Sequence, residues 1–141
     1  MKHLEVVYWD VDGTLADTET HGHRVAFNKG FEEHGLKWIW NEEKYIKLLS
    51  IAGGKKRIKI YSQQIGEQLN KIDINKLHER KQFHYTSLFN TLDIHFRIGV
   101  NRLIKSLYDS GIVQVIVTSS SRQSVNDLLV SIYGKDSLPF Q

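Results

Sequence analysis

Residues 6–19, VVYWDVDGTLADTE, place two aspartates directly after a short apolar run. The run at residues 4–9 is rich in β-branched and aromatic side chains, which favour a strand. Asp10 and Asp12 stand one residue apart, and Gly13 after them permits a tight turn. Like charges this close repel each other, so a chain that keeps both ionised needs a cation beside them. The segment therefore predicts a buried strand that ends in an acidic loop.

A second apolar run, IVQVIV at residues 112–117, is followed by the polar stretch TSSS. Neither run alternates regularly between apolar and polar residues, as expected for parallel strands that are covered on both faces. Helical patterns lie between and after the two strands, and this order predicts an α/β fold with a parallel sheet. Ligands of such sheets bind beyond the carboxyl ends of the strands, where the acidic pair, Thr118 and Ser119 fall.

Most of the residues between the two strands carry helical patterns. Within a predicted helix at residues 18–34, His23, Phe27 and Phe31 recur every four residues, and Gly35 can end this helix. Further helices are predicted from the capping residues Asn41 and Asp73, from the apolar stripe of Ile58, Tyr61, Ile65 and Leu69, from the flanking glycines Gly99 and Gly111, and from the apolar face of Val125, Leu128, Leu129 and Ile132.

The helical block between the strands is too long for a simple crossover connection. We therefore expect an inserted helical cap at residues 16–94. The flanking segments, residues 1–15 and 95–141, would together form the α/β core.

The acidic pair and the hydroxyls after the second strand suit phosphoryl transfer. Mg²⁺ is commonly held by one or two carboxylates together with phosphate oxygens and water. In a turn after the strand, the first aspartate can attack a phosphorus atom, and the second can serve the leaving-group oxygen as acid and base. Thr118 can donate to a phosphate oxygen, and the loop after it offers N–H groups at a helix N-terminus.

Several of these residues have a simpler interpretation. A D-x-D stretch also occurs in calcium loops, but Leu15 and His21 stand where such a loop carries glycine and glutamate. The TSSSR stretch could be no more than a helix N-cap. Arg57, in the basic run KKR, could be a solvated surface residue, and His23 could be a packed core histidine.

The stretches DVDGTL and VIVTSSS, in this order, resemble the haloacid dehalogenase-like phosphotransferases. Four further stretches narrow the resemblance to the CbbY-like branch, which is related to β-phosphoglucomutase: GHRVAFNKGFEEHGLKWIW, YIKLLSIAGGKKRI, GVNRLIKSLYDSG and VTSSSRQSVNDLL. The resemblance implies a Rossmann-like core with a helical cap, Mg²⁺ dependence and phosphate-ester hydrolysis. For this branch it implies a sugar bisphosphate substrate, with xylulose-1,5-bisphosphate as the leading candidate.

The resemblance also assigns roles to individual residues. It implies that Asp10 is the nucleophile and a Mg²⁺ ligand, and that Asp12 is the acid/base with its main-chain carbonyl on the metal. Thr118 would bind the transferring phosphate, helped by the main chain of Ser119. Arg57 matches the arginine that clamps the substrate's other phosphate, a role suited to its planar fork of donors. The remaining substrate-binding positions are Ser120, Ser121 and Arg122, which would help to hold that phosphate, and Asp17, His23 and Tyr45, which match positions facing the cleft between core and cap.

The chain departs from the family after its last predicted helix. The family next carries a lysine and then an acidic pair that completes the Mg²⁺ site, whereas this sequence reads GKDSLPFQ. Lys135 and Asp136 lie too close to the preceding helix for those roles. We therefore expect a C-terminally truncated relative that turns over slowly by itself. Two alternatives stay open: a sugar phosphomutase, and a non-catalytic protein with the family fold.

Composition favours a small anionic ligand as the partner. The chain has 141 residues, of which 40% are hydrophobic and 25% charged, as in ordinary globular proteins. Its net charge of +3 comes from scattered basic residues, which suits an anionic ligand better than nucleic acid, and no apolar run is long enough for a membrane span. The absence of cysteine excludes a disulfide framework and favours the cytoplasm, or the plastid stroma in a eukaryote.

An apolar strand at an open sheet edge also allows self-association.

Overall fold

The structure of the chain, a computed structural model, describes residues 4–89 and 94–134. In chain order, the elements are β1 (Val6–Trp9), a π-helical turn (Glu19–His23), α1 (Arg24–Glu33), α2 (Glu42–Leu48), α3 (Gly54–Gln64), α4 (Lys71–Leu88), α5 (Val100–Asp109), β2 (Val113–Ile116) and α6 (Arg122–Tyr133). The chain divides into a first unit, which runs up to Glu19 and resumes at Phe89, and a second unit, Thr20–Leu88. The assignment of these parts as core and cap domains stays a prediction.

The first unit is built on a parallel sheet. β1 pairs with β2 in a register that runs from Val6 opposite Val113 to Trp9 opposite Ile116. The indole Nε1 of Trp9 donates to the side-chain oxygen of buried Gln114 over 3.0 Å, and the Gln114 amide donates to the Ile104 carbonyl of α5 over 3.0 Å. This chain of hydrogen bonds joins both strands to α5 through a polar group that would be costly to bury unpaired. The predicted α/β class is confirmed.

The second unit is a helical assembly with an aromatic core. Its buried cluster consists of Phe27, Phe31, Trp38, Trp40, Tyr45, Leu48, Ile58, Tyr61, Ile74 and Leu77. Trp40 lies at its centre, 4.8 Å from the Phe27 ring and 4.7 Å from the Phe31 ring between ring centroids. Each such aromatic pair contributes about 0.5–1.5 kcal/mol beyond the area that it buries. The four-residue spacing of Phe27 and Phe31 in α1 is thus the spacing of a packed core, to which Trp38 and Trp40 add from the connection between α1 and α2.

The helix ends confirm some sequence predictions and correct others. Asn41 caps α2 by accepting from the Lys44 N–H over 2.9 Å, as predicted. Asp73 is not the cap of α4: the side chain of Asn70 accepts from the Asp73 N–H over 2.9 Å, and its amide donates back to the Asp73 carboxylate over 2.7 Å. The cap therefore lies three residues earlier, at Asn70, whose side-chain oxygen accepts a main-chain N–H of the first helical turn as an N-cap does.

The apolar stripe predicted for one helix is also shorter than expected. Ile58 and Tyr61 are buried in α3, but α3 ends at Gln64. Gly66 then takes a φ of 75°, a left-handed conformation that ends the helix. Ile65 is exposed as a result, so the stripe does not extend as one helical face.

Candidate functional site

The carboxyl ends of the two strands bring the predicted site residues together. The Val117 N–H donates to the Trp9 carbonyl over 2.8 Å, so the loops after β1 and β2 begin side by side. Asp10 follows Trp9 directly, and Thr118 follows Val117 directly. This is the edge at which ligands of parallel sheets bind.

A tight turn fixes the acidic loop after β1. The Val11 carbonyl accepts the N–H groups of Thr14, Leu15 and Ala16 at 2.9–3.2 Å, and Val11 is itself buried. Gly13 has a φ of 76°, which side chains rarely adopt, and its N–H donates to the Ala16 carbonyl over 2.8 Å. The two aspartates therefore extend from a rigid turn rather than from a mobile loop.

Asp10 presents an exposed carboxylate at the start of this turn. Its Oδ1 accepts the Val11 N–H over 2.9 Å, which orients the carboxyl group. Among the residues that the structure describes, none donates a hydrogen bond to Oδ2. The second oxygen is thus available to an incoming phosphorus atom or a cation.

Asp12 is held by hydroxyl groups on both of its carboxylate oxygens. Thr18 Oγ1 donates to Oδ1 over 2.5 Å, and Ser120 Oγ donates to Oδ2 over 2.5 Å. Thr18 is fully buried, while Ser120 comes from the loop after β2. These bonds fix the plane of the carboxylate by contacts from two separate segments.

The serine-rich loop after β2 combines site residues with a helix cap. The Ser120 N–H donates to Thr118 Oγ1 over 3.2 Å. The side chain of Ser121 accepts the Ser124 N–H over 3.2 Å and caps α6, which begins at exposed Arg122. The helix-cap interpretation is thus correct for Ser121, whereas Ser120 contacts Asp12 of the acidic loop and Thr118 contacts Ser120. Ser119 is exposed between them.

Thr18 and Arg97 were missed by the sequence reasoning. Arg97 Nη1 donates to the Gly13 carbonyl over 2.7 Å, and the Arg97 N–H donates to the Leu15 carbonyl over 2.8 Å. Arg97 thus supports the turn from the segment before α5. Neither residue belongs to a recognisable sequence motif, so only the contacts in the folded chain identify them.

Arg57 and Tyr45 lie inside the second unit. Arg57 is only 8% exposed, so its interpretation as a solvated surface residue is wrong. Its guanidinium donates to the Leu48 carbonyl over 3.0 Å, to the Tyr45 hydroxyl over 3.1 Å and to the Ile51 carbonyl over 3.2 Å. Tyr45 is fully buried, and the Arg57 guanidinium carbon lies 5.3 Å from its ring centroid. Both residues therefore help to hold α2 and α3 together.

His23 also lies within the second unit. It is 8% exposed and stacks on Tyr85 with 3.8 Å between ring centroids. Lys81 Nζ lies 2.6 Å from His23 Nδ1, and because an ammonium group only donates, Nδ1 is the acceptor. The packed-core interpretation of His23 agrees with this geometry. Asp17 is exposed in the first unit.

Comparison with known proteins identifies the family. The model of the family described as haloacid dehalogenase-like hydrolase matches residues 7–140. The chain belongs to the haloacid dehalogenase-like hydrolases. It is 35% identical to protein CbbY of Rhodobacter capsulatus over 132 residues, which are 94% of this chain and 58% of that protein. It is also 30% identical to a CBBY-like protein of Arabidopsis thaliana, covering 91% of this chain and 43% of that protein.

Solved structures agree with this assignment. A crystal structure of a CbbY variant from Rhodobacter sphaeroides in complex with xylulose-1,5-bisphosphate superposes with a TM-score of 0.84 at 32% identity, covering 94% of this chain and 59% of that one. CbbY from the same organism in complex with phosphate gives a TM-score of 0.83 at 33% identity over the same shares. The chain thus spans less than two thirds of the length of these relatives.

The acidic loop suits the metal that this family generally uses, Mg²⁺. It offers oxygen donors only, and Asp10 has one carboxylate oxygen that none of the described residues occupies. Within residues 4–89 and 94–134, no three acidic, histidine or cysteine side chains converge on one point. The loop therefore fits Mg²⁺ as a partial donor set of the kind that water and phosphate oxygens complete.

Proposed function

We propose that this haloacid dehalogenase-like hydrolase is a Mg²⁺-dependent phosphatase that acts on a phosphorylated sugar through an aspartyl-phosphate. The observation that carries the proposal is the arrangement at the strand ends. One aspartate presents an accessible carboxylate oxygen, and the other is fixed by two hydroxyls beside the loop of Thr118. The likeness to CbbY, a relative solved with xylulose-1,5-bisphosphate and with phosphate, supports the same substrate class.

Asp10 and Asp12 take complementary roles in the two steps. The Asp10 Oδ2 atom attacks the phosphorus, an O–P bond forms, and the bond from phosphorus to the sugar oxygen breaks. Asp12 gives its proton to that sugar oxygen and becomes a carboxylate. A water molecule then attacks the aspartyl-phosphate and gives its proton to Asp12, which releases inorganic phosphate and restores both side chains.

The loop after β2 holds the transferring group. Thr118 Oγ1 accepts the Ser120 N–H, so its own proton is free to point toward a phosphate oxygen. The main-chain N–H of Ser119 lies in the same loop, just before the N-terminus of α6, where anions are favoured. Charge that develops on the phosphoryl oxygens is thus met by fixed donors.

The Asp10 carboxylate and the main-chain carbonyl of Asp12 would hold Mg²⁺. When bound, the ion supplies positive charge that offsets the repulsion between a carboxylate nucleophile and an anionic phosphate.

Xylulose-1,5-bisphosphate is the substrate that we propose. Arg57 would bind the second phosphate of this substrate through the guanidinium N–H groups that make no hydrogen bond within the protein. Asp17 and Arg122, which are both exposed, complete the proposed substrate contacts. Tyr45 and His23 are buried within the second unit and Ser121 caps α6, so these three residues do not contact the substrate in this proposal. We propose no membrane partner for this reaction. Among the described residues, no helix is long and apolar enough to cross a bilayer.

Phosphate release tests this proposal directly. The chain is incubated with xylulose-1,5-bisphosphate or p-nitrophenyl phosphate, with Mg²⁺ or with EDTA, beside an Asp10→Asn variant. We expect slow Mg²⁺-dependent release of inorganic phosphate that the substitution reduces at least about a hundredfold. Acid quenching followed by mass spectrometry should find one phosphoryl group on the peptide that contains Asp10.

Product analysis completes the test. Free phosphate identifies hydrolysis, whereas an isomerised sugar phosphate would identify a mutase and overturn the proposal. Equal rates for the parent chain and Asp10→Asn would also overturn it, because the nucleophile would then lie elsewhere. Circular dichroism of both proteins should match, since Asp10 is exposed and the substitution keeps the N–H contact of Oδ1.

A further inference from the structure

The connection between α1 and α2 contains an extended segment, residues 36–40. Burial alternates along it: the side chains of Trp38 and Trp40 are buried in the aromatic cluster, whereas Lys37 and Ile39 are exposed. A period of two residues is the pattern of a β-strand. In the part of the chain that the structure describes, however, the sheet consists of β1 and β2, and no strand pairs with this segment.

The main chain of this segment is bonded to α1 at both of its ends. The Leu36 N–H donates to the Phe31 carbonyl over 2.9 Å. At the other end, the side chain of Asn28 accepts the Trp40 N–H over 2.9 Å and donates to the Trp40 carbonyl over 3.0 Å. Main-chain groups two residues apart in an extended chain point the same way, so the N–H and carbonyl of Trp38 also point toward α1.

Trp38 presents a main-chain donor and acceptor that the protein does not use. Among the described residues, none makes a hydrogen bond with its N–H or its carbonyl, although its indole Nε1 donates to Glu67 over 2.7 Å. Main-chain polar groups need a partner, which here is solvent or a ligand. The amide of Asn28 shows which chemistry fits, because it supplies one donor and one acceptor to Trp40. A peptide unit carries the same two groups.

A groove of about 810 Å³ lies between α1 and this segment. Val25 of α1 lines it on one side, and Leu36 and Ile39 line it on the other. Ile39 is 70% exposed, so an apolar side chain of a ligand could cover it. The volume is within the range of pockets that hold ligands.

The charges in the groove favour an acidic ligand. Lys29 and Lys37 line it, both are exposed, and neither forms an ion pair with a described residue. Arg24 lines it too, but its guanidinium lies 3.5 Å from the Glu42 carboxylate. Glu32 is the acidic side chain of the lining. Two unpaired ammonium groups thus outnumber one carboxylate, and the groove attracts negative charge.

We propose that this groove binds an extended acidic segment of a partner protein by strand addition. The main chain of that segment pairs with the N–H and carbonyl of Trp38, an apolar side chain packs on Ile39, and acidic side chains approach Lys29 and Lys37. In this mode of recognition, main-chain hydrogen bonds supply affinity and side-chain contacts supply selectivity. Every groove residue belongs to the second unit, Thr20–Leu88, so the inference does not depend on the proposed phosphatase activity.

Synthetic peptides test the ligand chemistry. The probe has six residues, alternates glutamate with valine and has blocked ends. A second peptide carries lysine in place of glutamate, and two more are N-methylated on alternate amides, one for each edge of the extended chain. Calorimetric titration should give a Kd of about 100 μM for the probe. The lysine peptide and one of the N-methylated peptides should bind about tenfold more weakly or worse, since one loses the charge attraction and the other the main-chain donors.

Matched variants test the groove residues. We expect the double variant Lys29→Glu/Lys37→Glu to weaken binding of the probe about tenfold or more, and Ile39→Ala to weaken it about threefold. The controls are Lys56→Glu/Lys59→Glu on α3 and Ile46→Ala on α2, which are exposed and lie outside the groove lining. Both controls should stay within about twofold of the parent chain. An equal loss in the charge control would show attraction by net charge alone and overturn the proposal.

Amide hydrogen exchange locates the contact. With saturating probe, the Trp38 amide should exchange about tenfold more slowly, while the Lys37 and Ile39 amides, which point the other way, should keep their rates. No saturable binding up to about 1 mM, or equal binding of all N-methylated peptides, would overturn the proposal. Slower Trp38 exchange at higher protein concentration without peptide would also overturn it, because the occupant would then be a second copy of this chain.

Discussion

Glu33 carries two basic partners that join α1 to α4. Arg80 donates to its carboxylate through Nε over 2.7 Å and through Nη2 over 2.9 Å, and His84 Nε2 lies 3.0 Å from the same group. The hydrogen bond from Arg80 is the main reason that the pKa of Glu33 falls from 4.5 to about 2. The ionised form is thus favoured in the folded chain.

This shift predicts how stability depends on pH. Because the folded pKa lies below the unfolded one, Glu33 stabilises the folded chain above pH 4.5, and its contribution is lost as the pH falls toward about 2. We expect the difference in urea midpoint between the parent chain and Glu33→Gln to shrink as the pH falls below 4.5. Glu32→Gln, on the same exposed helix surface, is the control and should show no such trend. A difference that grows as the pH falls would contradict the assignment.

Individual candidate site residues were predictable only where they directly follow an element that the sequence itself predicts. Asp10 and Asp12 follow from their position after an apolar strand, and Thr118 follows from the end of the second one. The contacts of Thr18 and Ser120 with Asp12 depend on how two loops meet in space, which no local spacing encodes. The same limit applies to Arg57, since the basic run around it resembles a surface although its own side chain is buried.

The start of α3 packs closely against α4. A Cβ built at Gly54 would lie 2.7 Å from His78 Nε2 and 3.2 Å from Phe27 Cζ. Burial is the main cause of the lowered pKa of His78, about 4, so the ring is neutral near pH 7 and can pack against this backbone. Gly54 is therefore needed for a close approach between helices.

We expect Gly54→Ala to destabilise the chain by about 1–3 kcal/mol, because the added methyl group forces His78 and Phe27 to move. Urea unfolding measures the loss, and Lys56→Ala, exposed on the same helix, is the control. Removing the clashing ring should recover most of the loss, so Gly54→Ala should cost less in a His78→Ala background than in the parent chain. An equal cost in both backgrounds would show that the close approach to His78 is not the cause.

Helix positions were more predictable than helix ends. The spacing of Phe27 and Phe31 located α1, and Gly35 takes the left-handed φ of 67° expected after a helix. The cap of α4 was misplaced because Asn70 and Asp73 are both good capping residues, and only their mutual hydrogen bonds decide between them. Local chemistry thus locates a helix, while the choice between nearby caps depends on three-dimensional geometry.

In the described part of the chain, the sheet has an open edge along β1. The Glu5 and Trp9 carbonyls accept N–H groups of Val113 and Val117, so by the alternation of a strand the main-chain groups of Val6 and Tyr8 point the other way. The Tyr8 side chain is 69% exposed. The sequence predicted strands covered on both faces, and this expectation is wrong for Tyr8 among the described residues. The apolar character of β1 was predictable from the sequence, but the number of strands that pair with it was not.

An open, apolar strand edge predicts self-association of this chain through β1. We expect sedimentation velocity to show a weight-average mass that rises with protein concentration. Tyr8→Lys should suppress the rise, because a charge at the edge opposes pairing with a second strand. Tyr108→Lys is a matched control, since Tyr108 is 67% exposed on α5, away from the strand edge. A parent chain that stays monomeric at all concentrations, or an equal effect of both substitutions, would contradict association through this edge.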